Sequence, residues 1–149
     1  MDTLNAYKKI EKFPFGKRIF MFFVCVRIPY FFSIKPTIVD IKEGRTVVEM
    51  KERRKVHNHL KTIHAIALCN LCELSMALTT EVTIPKNLRF IPTAMTVAYK
   101  KKAKGTMRAI SEIKKSDFRV GDTDIQVDIY DTNNINVMSA VITLNIKEK

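Results

Sequence analysis

The chain has 149 residues, with 26 Lys and Arg against 15 Asp and Glu, a formal net charge of +11 and 46% apolar content. That length makes one domain, 1–149, able to bury about two thirds of its unfolded surface, and the apolar content excludes a disordered chain. The charge points to an anionic partner, without separating a nucleotide-bearing cofactor from a nucleic acid or an anionic membrane surface. Three cysteines, an odd count, do not make a disulfide framework. With no secretory signal after Met1-Asp2-Thr3, a cytoplasmic setting is expected.

Residues 2–12 form a short helical candidate with Leu4, Tyr7, Lys8 and Glu11 at helical spacing, ended by Phe13-Pro14-Phe15-Gly16. Ile19 to Val26 is continuously apolar but is cut off by Arg27 and Pro29, too short to span a bilayer. It is expected to pack on the domain as a helix, covering a sheet edge. A second reading is an interfacial helix giving peripheral membrane contact through residues 13–34, because Lys12, Lys17, Arg18 and Arg27 flank the apolar run. Residues 1–35 thus form an N-terminal helical extension and 36–149 the core.

Thr37 to Lys42 and Thr46 to Lys51, rich in β-branched residues and joined by Glu43-Gly44-Arg45, predict a β-hairpin. Asn58 to Leu78 follows, a loop that carries Asn58 leading into one helix. From Ile63 to Leu78 it is apolar on every side, which predicts burial all round. Thr62 is the expected cap, leaving the N–H groups around His64, Ala65 and Ile66 free to face negative charge, including the oxyanion of an acyl-transfer intermediate.

After a turn over Thr83 to Asn87, four strands are predicted: Leu88 to Lys101, with Pro92 marking a bulge or an edge, Lys104 to Lys115, Thr123 to Tyr130 and Val137 to Lys147. The last two alternate, with Ile125, Val127 and Ile129 on one inner face and Met138, Ala140, Ile142, Leu144 and Ile146 on the other. The fold class is therefore α+β, a curved antiparallel sheet of six strands wrapped round one central helix.

Glu73 stands out as a carboxylate expected inside the core, where it needs a partner or a task. Its structural explanation is a pairing with Arg89 or Arg108, or hydrogen bonds to Asn70 and Ser75; its catalytic one is a general base or nucleophile tuned by desolvation among Leu71, Leu74 and Met76. His64 and Glu73 are nine residues apart, on opposite faces and roughly 13.5 Å apart along the axis. One copy of the helix cannot bring both to one substrate, but two copies related by a two-fold axis can.

Cys69-Asn70-Leu71-Cys72 spells C-x-x-C, yet both thiols fall inside the helix rather than at an exposed N-terminus, so they read as small core residues and not as a redox pair. No second ligand pair stands at zinc spacing, so no metal is expected. His57 and His59 read as solvated loop residues. The basic stretches lack interleaved aromatics, which argues against nucleic acid.

Asn58, His64 and Glu73, at spacings of six and nine within the helix-in-sheet order, resemble the hotdog-fold acyl-CoA thioesterases, in the branch typified by phenylacetate-degradation thioesterases. Pro14 to Arg18, Pro29-Tyr30, and the His64-Ala65 to Glu73 run are more similar still to an uncharacterised thioesterase-like hotdog family, a domain of unknown function. The resemblance implies hydrolysis of an acyl-CoA or related thioester at a dimer interface, with coenzyme A entering only as part of the substrate and no separate cofactor. It assigns the carbonyl-holding N–H to Ala65 with Ile66 beside it, the base or nucleophile to Glu73 of the partner subunit, and orienting roles to His64 and Asn58. Thr93 and Thr96 are the polar candidates on the following strand.

Lys100, Lys102 and Arg54 are candidates for the coenzyme A phosphates, though a solvated basic edge explains them equally well. Ala65 stands where the family usually has Gly, and Ile66 is bulkier than the common small residue, both narrowing the approach. The alternative function is a non-catalytic hotdog module that binds an acyl chain or acyl-CoA. The expected assembly is a homodimer, with a tetramer built as a dimer of dimers the next one open to it.

Overall fold

A computed structural model describes residues 3–149; Met1 and Asp2, the latter expected to open the first helix, lie outside the described residues. Three helices, α1 (Thr3–Ile10), α2 (Gly16–Arg27) and α3 (Ala65–Thr83), accompany six strands. The strands are β1 (Thr37–Lys42), β2 (Arg45–Met50), β3 (Leu88–Tyr99), β4 (Met107–Glu112), β5 (Gly121–Tyr130) and β6 (Asn136–Glu148). They make one antiparallel sheet in the order β1-β2-β4-β5-β6-β3. Short 3-10 turns occupy Pro29–Ser33, Arg54–Val56 and Lys115–Asp117.

The period-two pattern of the C-terminal strands does the wrapping. Ile125, Val127 and Ile129 of β5, with Met138, Ala140, Ile142, Leu144 and Ile146 of β6, are all buried. They close on Leu71, Leu74 and Met76 of α3, which have no exposed surface. Each such side chain contributes about 1.5–3 kcal/mol of burial, so the helix and the concave sheet hold each other. β4 is shorter than the predicted Lys104 to Lys115, because the Gly105 N–H is taken by Glu52 at one end and a 3-10 turn begins at Lys115 at the other. α3 itself runs five residues past the predicted Leu78.

Those five residues continue because their polar groups are satisfied internally. Thr79 Oγ1 donates to Ser75 O at 2.9 Å and Thr83 Oγ1 to Thr79 O at 2.6 Å. Thr83 Oγ1 also accepts from the backbone N–H of Gly44 at 2.8 Å. Gly44 turns the β1–β2 hairpin with φ +80, a conformation that suits glycine.

The helix is not buried all round. Ile66, Glu73 and Glu81 are exposed and Cys69 and Ala77 are partly so, forming one stripe along the rod. The protomer's sheet is too narrow to cover that side. β3, at the sheet edge, shares this incompleteness: beyond Leu88 its side chains on both faces are exposed or half-exposed. Pro92 sits at the edge and also at a bulge, the register shifting between Pro92 and Ala94.

At the opposite edge α2 packs on β1, as the cover expected of it. A Cβ on Gly16 would come 1.8 Å from Ile10 O, so only glycine lets the end of α1 lie against the start of α2.

Thr83→Val is expected to leave the Gly44 N–H without its acceptor and to lower stability by about 1–3 kcal/mol. Urea denaturation, read as a fall in midpoint at unchanged slope, measures it.

Candidate functional site

The N-terminus of α3 is set by contacts from distant segments. Ile63 and His57 form an isolated bridge, Ile63 N–H donates to Ala103 O at 3.0 Å, and His64 N–H donates to Val56 O at 2.7 Å. These bonds keep the chain extended through His64, which has φ −65 and ψ 138, so helix begins at Ala65. His64, not Thr62, is therefore the N-cap, and its Nδ1 accepts from the Ile66 N–H at 3.1 Å. An accepting Nδ1 places the ring proton of the neutral imidazole on Nε2.

The first-turn donors are then accounted for one by one. Ile66 N–H goes to the His64 ring and Ala67 N–H to His64 O at 3.0 Å. Among the described residues the Ala65 N–H has no acceptor, and it stands at the positive end of a 19-residue helix.

Asn58 builds the loop in front of that end. Its Oδ1 accepts from the N–H groups of Leu60 at 2.9 Å and Thr62 at 3.2 Å, and its Nδ2 donates to Thr62 Oγ1 at 2.9 Å. These are the bonds of a residue that fixes a turn, and they let Lys61 hold φ +57.

Behind the loop stands Glu52, which accepts from the Gly105 N–H and meets His57 Nε2 at 2.8 Å. His57 is consequently a paired, half-buried residue rather than a solvated one. The Gly105 N–H holds the Glu52 carboxyl below the usual carboxylate range against its partial desolvation, helped by His57 and Lys104.

A cleft of about 190 Å³ opens at this helix end, lined by His64, Ile66, Tyr30, Ser33, Lys55 and Asn70 among others. Asn70 is buried, donates through Nδ2 to Ser33 Oγ at 3.0 Å, and leaves its Oδ1 without a partner among the described residues. Sequence reasoning did not single out Tyr30, Ser33 or Asn70 for this site. The spacing of Ile66 and Asn70, one helical turn apart, was the signal available. A larger concavity, about 650 Å³, lies at the far end of α3 around Glu81, Lys86 and Arg89, away from His64.

Glu73 does not line the cleft. It sits on the exposed stripe of α3 and makes no hydrogen bond or ion pair among the described residues, so the pairings with Arg89, Arg108, Asn70 and Ser75 are absent. Arg108 instead bonds Asn134 at 2.5 Å, and Ser75 turns to Thr46 O at 3.5 Å. The apolar surroundings expected for Glu73 are likewise absent within one protomer.

Cys72 is fully buried and burial pushes its thiol up, whereas Cys69 reaches the surface and lies 3.3 Å from Tyr99 OH. That hydrogen bond, with burial, pushes the Tyr99 hydroxyl up to about 12. The contact ties the exposed stripe of α3 to the end of β3.

Of the remaining candidates, Thr93 is exposed on β3 and donates to Thr143 O at 3.2 Å, and Thr96 is exposed three residues on. Lys100 donates to Ser139 Oγ at 2.6 Å, and Lys102 and Arg54 are exposed, Arg54 next to the cleft residue Lys55. Within one protomer the structure brings His64, Ala65 and Ile66 together behind the Asn58 loop; it does not bring Glu73, Thr93 or Thr96 to them.

Because the folded-state value of Glu52 is depressed, its stabilising contribution is present above the unfolded carboxylate range near ~4.3 and is lost as pH falls through the lower folded value. Glu52→Gln is expected to cost about 1–2 kcal/mol at neutral pH. The gap to wild type should close on the acid side, as thermal melts at pH 7 and pH 3 would record.

The sheet wrapped round α3 is the hotdog fold. A protein solved as genomics APC5556 is 32% identical, with 99% of each chain covered and a TM-score of 0.88. Two further solved proteins share the fold at lower identity. Thioesterase HI1161 of Haemophilus influenzae is 13% identical over 80% of this chain and 82% of its own, with a TM-score of 0.71. The PaaI protein of the E. coli phenylacetic acid degradation operon is 16% identical over 76% and 84%, with a TM-score of 0.67. No curated protein matches the chain by sequence. The model of the family described as a domain of unknown function, DUF4442, matches residues 16–146, and the chain belongs to that hotdog family.

Proposed function

We propose that the protein hydrolyses acyl thioesters, with acyl-CoA as the substrate class, at two equivalent sites formed where two copies pair along β3. The observation that carries the reading is the split on α3. A free Ala65 N–H and an unpartnered Glu73 carboxylate stand about 12 Å apart along the axis of the same helix. An antiparallel second α3 across the exposed stripe would set each N-terminus against the other's carboxylate. That two structurally similar proteins include a thioesterase and the PaaI protein supports this class of reaction.

In this reading the Ala65 N–H holds the thioester carbonyl oxygen and stabilises the oxyanion that forms there. Glu73 of the partner subunit takes a proton from water as the water oxygen bonds to the carbonyl carbon. Collapse of the tetrahedral intermediate breaks the C–S bond, and the thiol leaves with that proton. His64 fixes the first turn and Asn58 the loop; Thr93 is the polar side chain on the strand nearest the thioester, with Thr96 behind it. Lys100, Lys102 and Arg54 meet the coenzyme A phosphates.

A second reading, binding of an acyl chain or acyl-CoA without turnover, is favoured by Ala65 and by Ile66, whose 55% exposed side chain narrows the mouth of a small cleft.

Thiol release from a panel of acyl-CoA substrates tests the proposal. Glu73→Ala is expected to lower kcat by on the order of 10²-fold or more, with an unchanged mass by light scattering. Ala65→Pro removes the N–H at the first helical position, where proline is tolerated, and should cost about 10²–10³-fold. Full rates in both variants would contradict the proposal, and acyl-CoA binding without thiol release in the wild type would establish the second reading.

A further inference from the structure

α2 is apolar on two sides and the protein uses one of them. Phe20, Met21 and Cys25 are buried, with Tyr7 of α1 meeting Phe20 edge-on at 5.3 Å. The other stripe, Ile19, Phe22, Phe23 and Val26 at helical spacing, stands 44–60% exposed. Phe15 before the helix and Tyr30 after it are exposed as well. Phe22 gathers the stripe into a ridge, its ring 6.0 Å from Phe23 and 5.9 Å from Phe32. Of the 17 large apolar side chains exposed among the described residues, nine fall between Phe13 and Phe32, a concentration in one segment and not the scatter normal for a surface.

The charge of this segment is equally one-sided. From Lys12 to Val39 the chain carries Lys12, Lys17, Arg18, Arg27 and Lys35 and no acidic residue. Arg18 lies over the Phe15 ring at 5.7 Å, and Lys17 and Arg27 stand at the two ends of α2. Large apolar rings rimmed by cations suit a surface with an apolar interior and anionic headgroups. A second copy fits it poorly, since a two-fold axis would set these cations against one another. The face also belongs to the β1 edge of the sheet, the far side from β3.

We infer that the α2 face, from Phe13 to Phe32, docks the protein on anionic lipid bilayers, with the rings entering the headgroup boundary and the basic residues meeting lipid phosphates. The inference goes beyond the hydrolase reading and does not depend on it. Tyr30 belongs both to this face and to the cleft at the start of α3, so docking brings the cleft mouth to the lipid surface.

Co-sedimentation of the full chain with vesicles tests it, using phosphatidylcholine alone and phosphatidylcholine mixed with phosphatidylserine. Binding is expected to the mixed vesicles only and to weaken as salt is raised. Phe22→Ser with Phe23→Ser, at exposed positions, and separately Arg18→Gln with Arg27→Gln, should each weaken it by about 10-fold or more. Absence of binding to the mixed vesicles, equal binding to neutral ones, or unaltered binding by both double variants would overturn the inference. A phenylalanine double variant that changes the protein's mass by light scattering would overturn it too, assigning the face to self-association.

Discussion

A twelve-residue strand at the rim of a sheet leaves a row of backbone donors and acceptors without partners, and β3 does this beside the one side of α3 that the sheet fails to cover. Both defects lie on the same flank of the molecule, linked by the contact of Cys69 with Tyr99. The functional proposal depends on this shared incompleteness, because Glu73 acquires neighbours only when something else covers that flank. A carboxylate left in water would be an ordinary surface group; one covered by a second helix end would be desolvated and faced by a partial positive charge.

The other half of the site is finished within a single protomer, and the bonds that finish it come from far away in the chain. Val56 and Ala103 hold the two residues before the helix extended, Glu52 clamps Gly105 and His57, and Asn58 spends its side chain on its own turn. The result is a helix end with one N–H held free and a capping imidazole of fixed tautomer. Preorganisation of this kind costs the reaction nothing at the moment charge develops.

The architecture was legible where a single period governs a segment. The alternation in β5 and β6 and the β-branched hairpin of β1 and β2 lie where the sequence places them, because each has one face in the core. The exposed stripe of α3 was not legible: Ile66, Cys69 and Ala77 are apolar in composition, and only Glu73 and Glu81, eight residues apart, mark the side that meets water. Nor was the capping role of His64 visible, since it is set by bonds to Val56 and Ala103 and not by local preference, which favours Thr62. Tyr30 and Ser33 reach the cleft from more than thirty residues upstream, through packing that no local pattern encodes. The roles of Glu73, Thr93 and Thr96 rest on the resemblance and on the flank left open, not on contacts within the protomer.

Subunit exchange tests the central claim most directly. Glu73→Ala and Ala65→Pro chains, each inactive alone, are mixed in equal amounts, dissociated and allowed to reassociate. Sites built from two chains give each mixed dimer one intact site, so roughly a quarter of the wild-type thioester hydrolysis per chain should return. No recovery in verified mixed dimers, or full activity in a chain held monomeric, would contradict the account.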